Sequence, residues 1–391
     1  MIQLLVTDRN LNILGDPLDG WTALTSELNF IVPAAGSVSL PAHPAYMELL
    51  QPGARMVVIR DGEVWSAGPL EQPQDYTWDL AANADGTVKV TFSDDLARVA
   101  GYLTYPEPAK AFNAQTTTSD VTRKLTATNA ETIIRTLVNE NCGPGAITAR
   151  RIERLVLDTV ASVGSNRTVS TRFEPLLDAC RTAAAADGLG FHTRQVGDEI
   201  RFGVYAPVDR SGTARFSAGL GNLRSVSFTM GAPLATSELV QGGEDPAQQV
   251  GEGDPANERV YVEVASGAAT DWYRVEKLIE QSGKDDADGE LTQAGVLAFG
   301  NDNPQASLAT VTVDTPDLRA GRDYGLGDRV TVELPTGLEV TDLVRTIRLE
   351  TTPDGGELVT TVIGDSDKTT TTATVRAVRD LARRLGRLEA R

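Results

Sequence analysis

A chain of 391 residues exceeds what one ordinary core fills, so two to four folding units are expected. Its hydrophobic share of 41% and charged share of 23% are those of a globular protein and exclude a disordered or fibrous chain. The formal charge of −18 argues against a sequence-reading nucleic-acid binder, which concentrates cations to displace counterions from phosphates.

The first hundred residues are punctuated like a small antiparallel β unit. Ile2 to Asp8, Trp21 to Leu28 and Gly36 to Leu40 read as strands. Val57 to Arg60 and Glu63 to Ala67 flank Asp61-Gly62, a dipeptide that accepts the positive φ of a tight primed turn. A second Asp-Gly, Asp85-Gly86, is expected to join its flanking strands in the same way. Short strands at this spacing indicate a barrel or a sandwich. From Leu103 to Thr128 the pattern dissolves into Pro, Thr, Ser and Ala, which reads as a connector.

The period then changes to a helical one. Residues 129 to 141 place Ile133, Ile134, Leu137 and Val138 on one stripe, and Cys142-Gly143-Pro144-Gly145 ends the helix. A second helix is expected from about Arg172 to Asp187, stopped by Gly188. Strands at Gly190 to Gln195 and Glu199 to Tyr205 follow, so this piece is α/β in local order. The β pattern resumes at Leu223 to Thr229, and the Gly/Asp/Glu-rich run from Gly242 to Pro255 reads as a solvated loop. Residues 260 to 265 read as a strand, 272 to 281 and 290 to 301 as two helices, and 309 to 315 as a strand. Asp328 to Leu334, Asp342 to Thr351 and Glu357 to Gly364 form a final meander.

After Lys368 and a threonine run, Val378, Leu381, Leu385 and Leu388 fall in a 3-4-3 register, the seam of a coiled coil. Two heptads do not associate unaided, so this stripe is expected to pack on partner copies or a neighbouring protein. The alternative is an amphipathic helix lying back on its own chain. Six arginines make this end locally basic.

Motifs that carry chemistry are sparse. Only His43, in a proline-framed turn, and His192, at a strand, are present, and both read as structural. No Cys-x-x-Cys or His-Glu-x-x-His spacing occurs, and Cys142 and Cys180, each in a helical stretch, read as buried thiols. Lys284 to Gly289 imitates a calcium loop but puts Lys284 at the first ligand position and Gly295 at the twelfth, which leaves at most a weak cation site at Asp286 and Asp288. Gly219 to Arg224 lacks the third glycine of a dinucleotide loop and precedes a strand. Asn166-Arg167-Thr168 matches a glycosylation sequon without a secretion signal beside it. No cofactor, no metal, no enzymatic activity and no membrane anchor are expected.

Six stretches share one pattern: Trp21 to Phe30, Gly36 to Leu40, Pro41-Ala42-His43-Pro44, Leu49 to Gly53, Ser93-Asp94-Asp95-Leu96, and Asp323 to Val332. Together they resemble the tail-hub proteins of long-tailed actinobacterial phages, similar to the Gp37-like siphovirus proteins and to the baseplate hubs of contractile tails. The resemblance implies a mainly β fold with α/β insertions: two β-barrel-like tube domains, peripheral α/β domains and a C-terminal helix. The divisions would be 1–102 for the first barrel-like domain and 103–222 for an α/β domain. A second barrel-like domain would span 223–367, with a helical insertion at about 265–305, before a terminal amphipathic helix at 368–391. It further implies a structural hub at the virion tail tip, assembled in the host cytoplasm. As a homotrimer it would contact a distal tail protein, a tape measure protein and other tip proteins, while genomic DNA passes without specific binding. The rival reading is a tip protein that binds a receptor or cell-wall glycan, with the loop at 242–255 facing the host.

Overall fold

The computed structural model describes residues 2–71, 75–78, 86–116, 118, 121–230, 232–244, 259–281, 289–302, 306–353 and 356–364. The N-terminal part holds β1 (Ile2–Thr7), β2 (Ile13–Leu14), β3 (Ala23–Asn29), β4 (Ala35–Pro41), α1 (Pro44–Leu49), β5 (Arg55–Arg60), β6 (Glu63–Pro69), β7 (Asp75–Thr77), β8 (Thr87–Ser93) and α2 (Leu96–Ala100). The β5–β6 hairpin turns on Asp61 (φ 52°) and Gly62 (φ 88°), the two positive angles a primed turn requires. Asp85, of the expected Asp85-Gly86 turn, lies outside the described residues. Thr77 pairs with Thr87, so the connection spans residues 78–86, and its greater part lies outside the described residues.

The middle part contains β9 (Arg123–Asn129), α3 (Ala130–Asn141), β10 (Leu155–Leu157), β11 (Asn166–Thr171), α4 (Leu176–Ala185), β12 (Gly190–Val196) and β13 (Glu199–Tyr205). The expected stripe of α3 is fully buried at Ile133, Ile134, Leu137 and Val138, and the Asn129 side chain caps the helix by accepting from Glu131 N and Thr132 N. Two corrections apply here. The end of the expected connector is strand β9, whose pairing with β11 supplies the order that a Thr-rich sequence does not advertise. Helix α4 begins at Leu176, because Pro175 cannot sit inside a helix but serves well just before one.

The C-terminal part runs β14 (Arg215–Ser217), β15 (Leu223–Met230), β16 (Ser237–Glu244), β17 (Arg259–Ala265), α5 (Ala268–Asp271), β18 (Glu276–Glu280), α6 (Glu290–Asp302), β19 (Ala306–Thr312), β20 (Arg329–Glu333), β21 (Glu339–Thr352) and β22 (Gly356–Ile363). The stretch 272–281 is not a helix. Residues 276–280 run parallel to β16 in a three-stranded sheet ordered β17-β16-β18, where strand pairing overrides the helix propensity of Glu, Lys and Leu. The described residues between 232 and 302 form a module inserted in a ribbon in which β15 pairs with β19 from Leu223↔Thr312 to Met230↔Ala306.

The dominant element is an eight-stranded sheet ordered β14-β20-β21-β3-β4-β8-β7, with β22 also paired to β21. Residues 24–29 pair with residues 346–351, so one sheet runs through both ends of the chain. Over its first half, β1 and β5 contribute Leu4, Val6, Met56 and Val58 to a core with Leu24, Val38, Val90 and Phe92. Over its second half, Phe216, Tyr324, Val330, Val344, Leu349 and Val359 form another core. A third core joins α3, α4 and the β12–β13 hairpin. Among the described residues no sheet closes on itself, so the expected barrels are not confirmed; each half packs as two open layers.

Candidate assembly face

Strand alternation decides which side of the long sheet is free. Leu24, Ser26, Val38, Leu40, Val88, Val90 and Phe92 face the core, so their neighbours in sequence face outward. In register, one outward row reads Leu358, Glu350, Thr25, Ser37, Thr91, and the next reads Ala23, Ser39, Lys89, Asp75. A third row holds Thr360, Arg348 and Glu27. The result is a surface of short hydroxyls whose charges largely answer one another. Arg348 lies 2.7 Å from Glu350 and 3.6 Å from Glu27, and Lys89 stands opposite Asp75. Such a face offers phosphates few uncommitted cations.

A cleft of about 370 Å³ opens where the three cores meet, lined by Trp65, Asp94, Phe191, His192, Thr193, Tyr205, Leu326 and Ile347 among others. Four buried atoms lining it, Trp65 Nε1, Asp94 Oδ1, His192 Nε2 and Thr193 Oγ1, make no hydrogen bond to the described residues. Burial pushes the Asp94 carboxyl up to about 7, and the adjacent Asp95 charge pushes the same way. Burial likewise pushes His192 down to about 4, so its imidazole, 5.2 Å from the Tyr205 ring, is neutral at pH 7. Beside the cleft, Arg55 is 1% exposed and forms an ion pair with Asp95, itself 2% exposed. Its guanidinium also donates to Thr7 Oγ1 at 3.1 Å and to Gln195 Oε1 at 3.0 Å, which ties β1 and the β12–β13 hairpin to α2.

The remaining sequence candidates are structural. His43 caps α1, its Nδ1 accepting from Ala45 N at 3.3 Å. Cys142 and Cys180 are free and buried, and burial raises both thiols, Cys142 to about 12. Asn166-Arg167-Thr168 lies in β11, where Arg167 is buried against Asp187. Gly219 to Arg224 runs into β15. No group of three or more metal-ligating side chains occurs among the described residues. No helix among them is long and apolar enough to cross a membrane. Asp286 and Asp288, residues 245–255 of the acidic loop, and the stripe Val378, Leu381, Leu385 and Leu388 lie outside the described residues.

Comparison with known proteins decides the family. The family model described as siphovirus ReqiPepy6 Gp37-like protein matches residues 3–365. The chain belongs to the Gp37-like siphovirus family. Its fold is shared with solved phage tail proteins. The prophage MuSo2 43 kDa tail protein from Shewanella oneidensis superposes with a TM-score of 0.58 at 13% identity, covering 94% of this chain and 99% of that one. Prophage tail protein gp18 from Listeria monocytogenes EGD-e gives 0.55 at 10% identity, over 96% and 97%. A tail protein from Neisseria meningitidis MC58 gives 0.53 at 11%, over 93% and 96%. No curated protein matches the sequence.

In this Gp37-like chain the stretches that carry the family resemblance are knots of the scaffold. Trp21 to Phe30 supplies β3, the strand that meets β21, and Gly36 to Leu40 supplies β4. Ser93 to Leu96 supplies Asp95 of the buried ion pair and Asp94 of the cleft. In Asp323 to Val332, Asp328 accepts from Val208 N (2.8 Å), Arg210 Nε (2.9 Å) and Gly325 N (2.9 Å). Gly327 beside it has φ 81°, and a Cβ there would stand 2.3 Å from the Phe30 ring and 2.9 Å from Pro207. Gly327→Ala is expected to cost about 2 kcal/mol through left-handed backbone strain plus that clash. An unfolding temperature equal to the parent's would refute this.

Proposed function

We propose that this chain is a non-catalytic hub subunit of a phage tail tip, three copies of which surround a channel that continues the tail tube. The observation that carries the reading is the open eight-stranded sheet. It runs through both β sandwiches, ends on the short strands β14 and β7, and turns a hydroxyl-rich, charge-answered face to solvent. Any open edge presents unpaired N–H and C=O groups, and a threefold ring of copies would cover the two ends heterologously until it closes. The outward rows of Thr25, Ser37, Thr91 and Ser39 would then line the bore. Each chain brings a formal charge of −18, which with so few free cations lets DNA slide without adhering.

In this reading the subunit sits at the virion tail tip, assembled in the host cytoplasm. The ring stands between a distal tail protein and the remaining tip proteins, with the tape measure protein at its axis. Negative-stain imaging and native mass spectrometry test it. The expected particle is a threefold ring with a central hole, three times the 41.7 kDa subunit, alone or once tail partners are added. A monomer under every condition, partners included, would overturn the proposal.

A further inference from the structure

The module described within residues 232–302 presents a sheet with two unlike faces. On one, α6 lies against Val240 and Val264; Gly295 approaches so closely that a Cβ there would be 2.6 Å from Val264 and 3.0 Å from Val240. The other face carries the rows Ala265, Ser237, Glu276; Glu263, Leu239, Leu278; and Tyr261, Gln241, Glu280. Leu239, Tyr261 and Leu278 there are 41%, 51% and 51% exposed, an apolar strip bordered by carboxylates. Arg274 pairs with Glu263 at 2.7 Å and with Glu276 at 2.6 Å, and Ser237 donates to Glu263 at 2.5 Å. The module stays acidic all the same, with fifteen Asp and Glu against four Lys and Arg over residues 231–305. Among the described residues this three-stranded sheet is covered on one side only, half of a common arrangement in which helices cover both faces.

The chain itself holds a segment of matching chemistry. The described part ends at Gly364, whose position is packed on Leu308 of β19, two residues from the foot of the module. Twenty-seven residues follow, and residues 368–391 hold six arginines and one lysine against one aspartate and one glutamate. Val378, the first of the stripe, is fourteen residues beyond Gly364, a reach of about 45 Å when extended.

We propose that the C-terminal segment docks in the same chain as an amphipathic helix on the open face of the β17-β16-β18 sheet. Val378, Leu381, Leu385 and Leu388 cover Leu239, Tyr261 and Leu278, and the arginines meet the bordering carboxylates. This inference is independent of the hub reading. It puts the apolar stripe against its own chain, where a coiled-coil seam would put it against other copies.

The test uses full-length protein carrying Leu278→Cys, with labelling by a maleimide in native conditions; Cys142 and Cys180 are buried and do not compete. Against the same variant ended at Gly364, the full chain is expected to label at least tenfold more slowly, and Leu381→Asp with Leu385→Asp should restore the fast rate. Leu278→Cys paired with Leu385→Cys should oxidise to a disulfide that leaves the protein at monomer mobility in denaturing gels. Equal labelling rates, or crosslinks found only between copies, would overturn the assignment.

Discussion

Arg55→Ala is expected to lower stability by about 3–5 kcal/mol, the usual result of removing one partner from a buried ion pair. Among the described residues Asp95, at 2% exposure, would keep only Arg98 at 3.9 Å, and Thr7 and Gln195 would lose a shared donor. Because Gln195 belongs to the β12–β13 hairpin, the loss also loosens the attachment of the α/β part to the first sandwich. The double variant Arg55→Met with Asp95→Leu should recover part of the deficit, since the buried pair is removed together and only Arg98, 3.9 Å from Asp95 and 23% exposed, loses a partner. Urea unfolding midpoints read both effects. A single variant within 1 kcal/mol of the parent would show that water reaches the pair and that the clamp is not closed.

The second large effect concerns Asp94. Its carboxyl is held at about 7 in the folded chain against an ordinary 3.8, so the folded state binds the proton more tightly than the unfolded one. The associated stability is complete below pH 3.8 and is lost as the pH rises through 7. The shift sets a ceiling of roughly 4 kcal/mol, and residual water contact in the cleft reduces it to about 2. Asp94→Asn, neutral at every pH, is therefore expected to be the more stable protein at pH 8 by about 2 kcal/mol, the advantage fading towards pH 4. His192 acts in the opposite direction: its pKa is depressed to about 4, so its contribution is present above pH 6.5 and lost as the pH falls towards 4. In the parent the two largely offset between pH 6.5 and 4, whereas the variant should show the histidine's slope alone. Parallel stability curves for the two proteins from pH 4 to 8 would rule this assignment out.

What the sequence makes legible follows from how local each signal is. The α3 stripe, the Asp61-Gly62 turn and the β12–β13 hairpin depend on neighbours a few residues apart, and each sits where its pattern puts it. Strands β9, β11, β16 and β18 escape because their order comes from distant partners, as when Glu276 to Glu280 pairs with Ser237 to Gln241. Whether the strands close into barrels is illegible for a related reason. Alternation along β3, β4 and β8 says that one face is buried, but it does not say whether the covering layer is the same sheet curled round or a second one. Of the candidate site, Ser37 and Ser39 are visible as the outward half of Gly36 to Leu40, while Arg55 carries no sequence signal. It sits in the strand-like run Arg55-Met56-Val57-Val58, and only the fold shows that it turns inward to Asp95.

The pairing of residues 24–29 with residues 346–351 also dictates an order of events during synthesis. The strand that completes the hydrogen bonding of β3 emerges from the ribosome more than three hundred residues later. Until then the N-terminal sandwich carries a naked border, and contacts at such separation form slowly. A nascent chain halted before Glu339 is therefore adhesive, and the ladder between the two ends is the last step to lock. Any assembly that needs the whole sheet has to wait until residues 346–351 have been made.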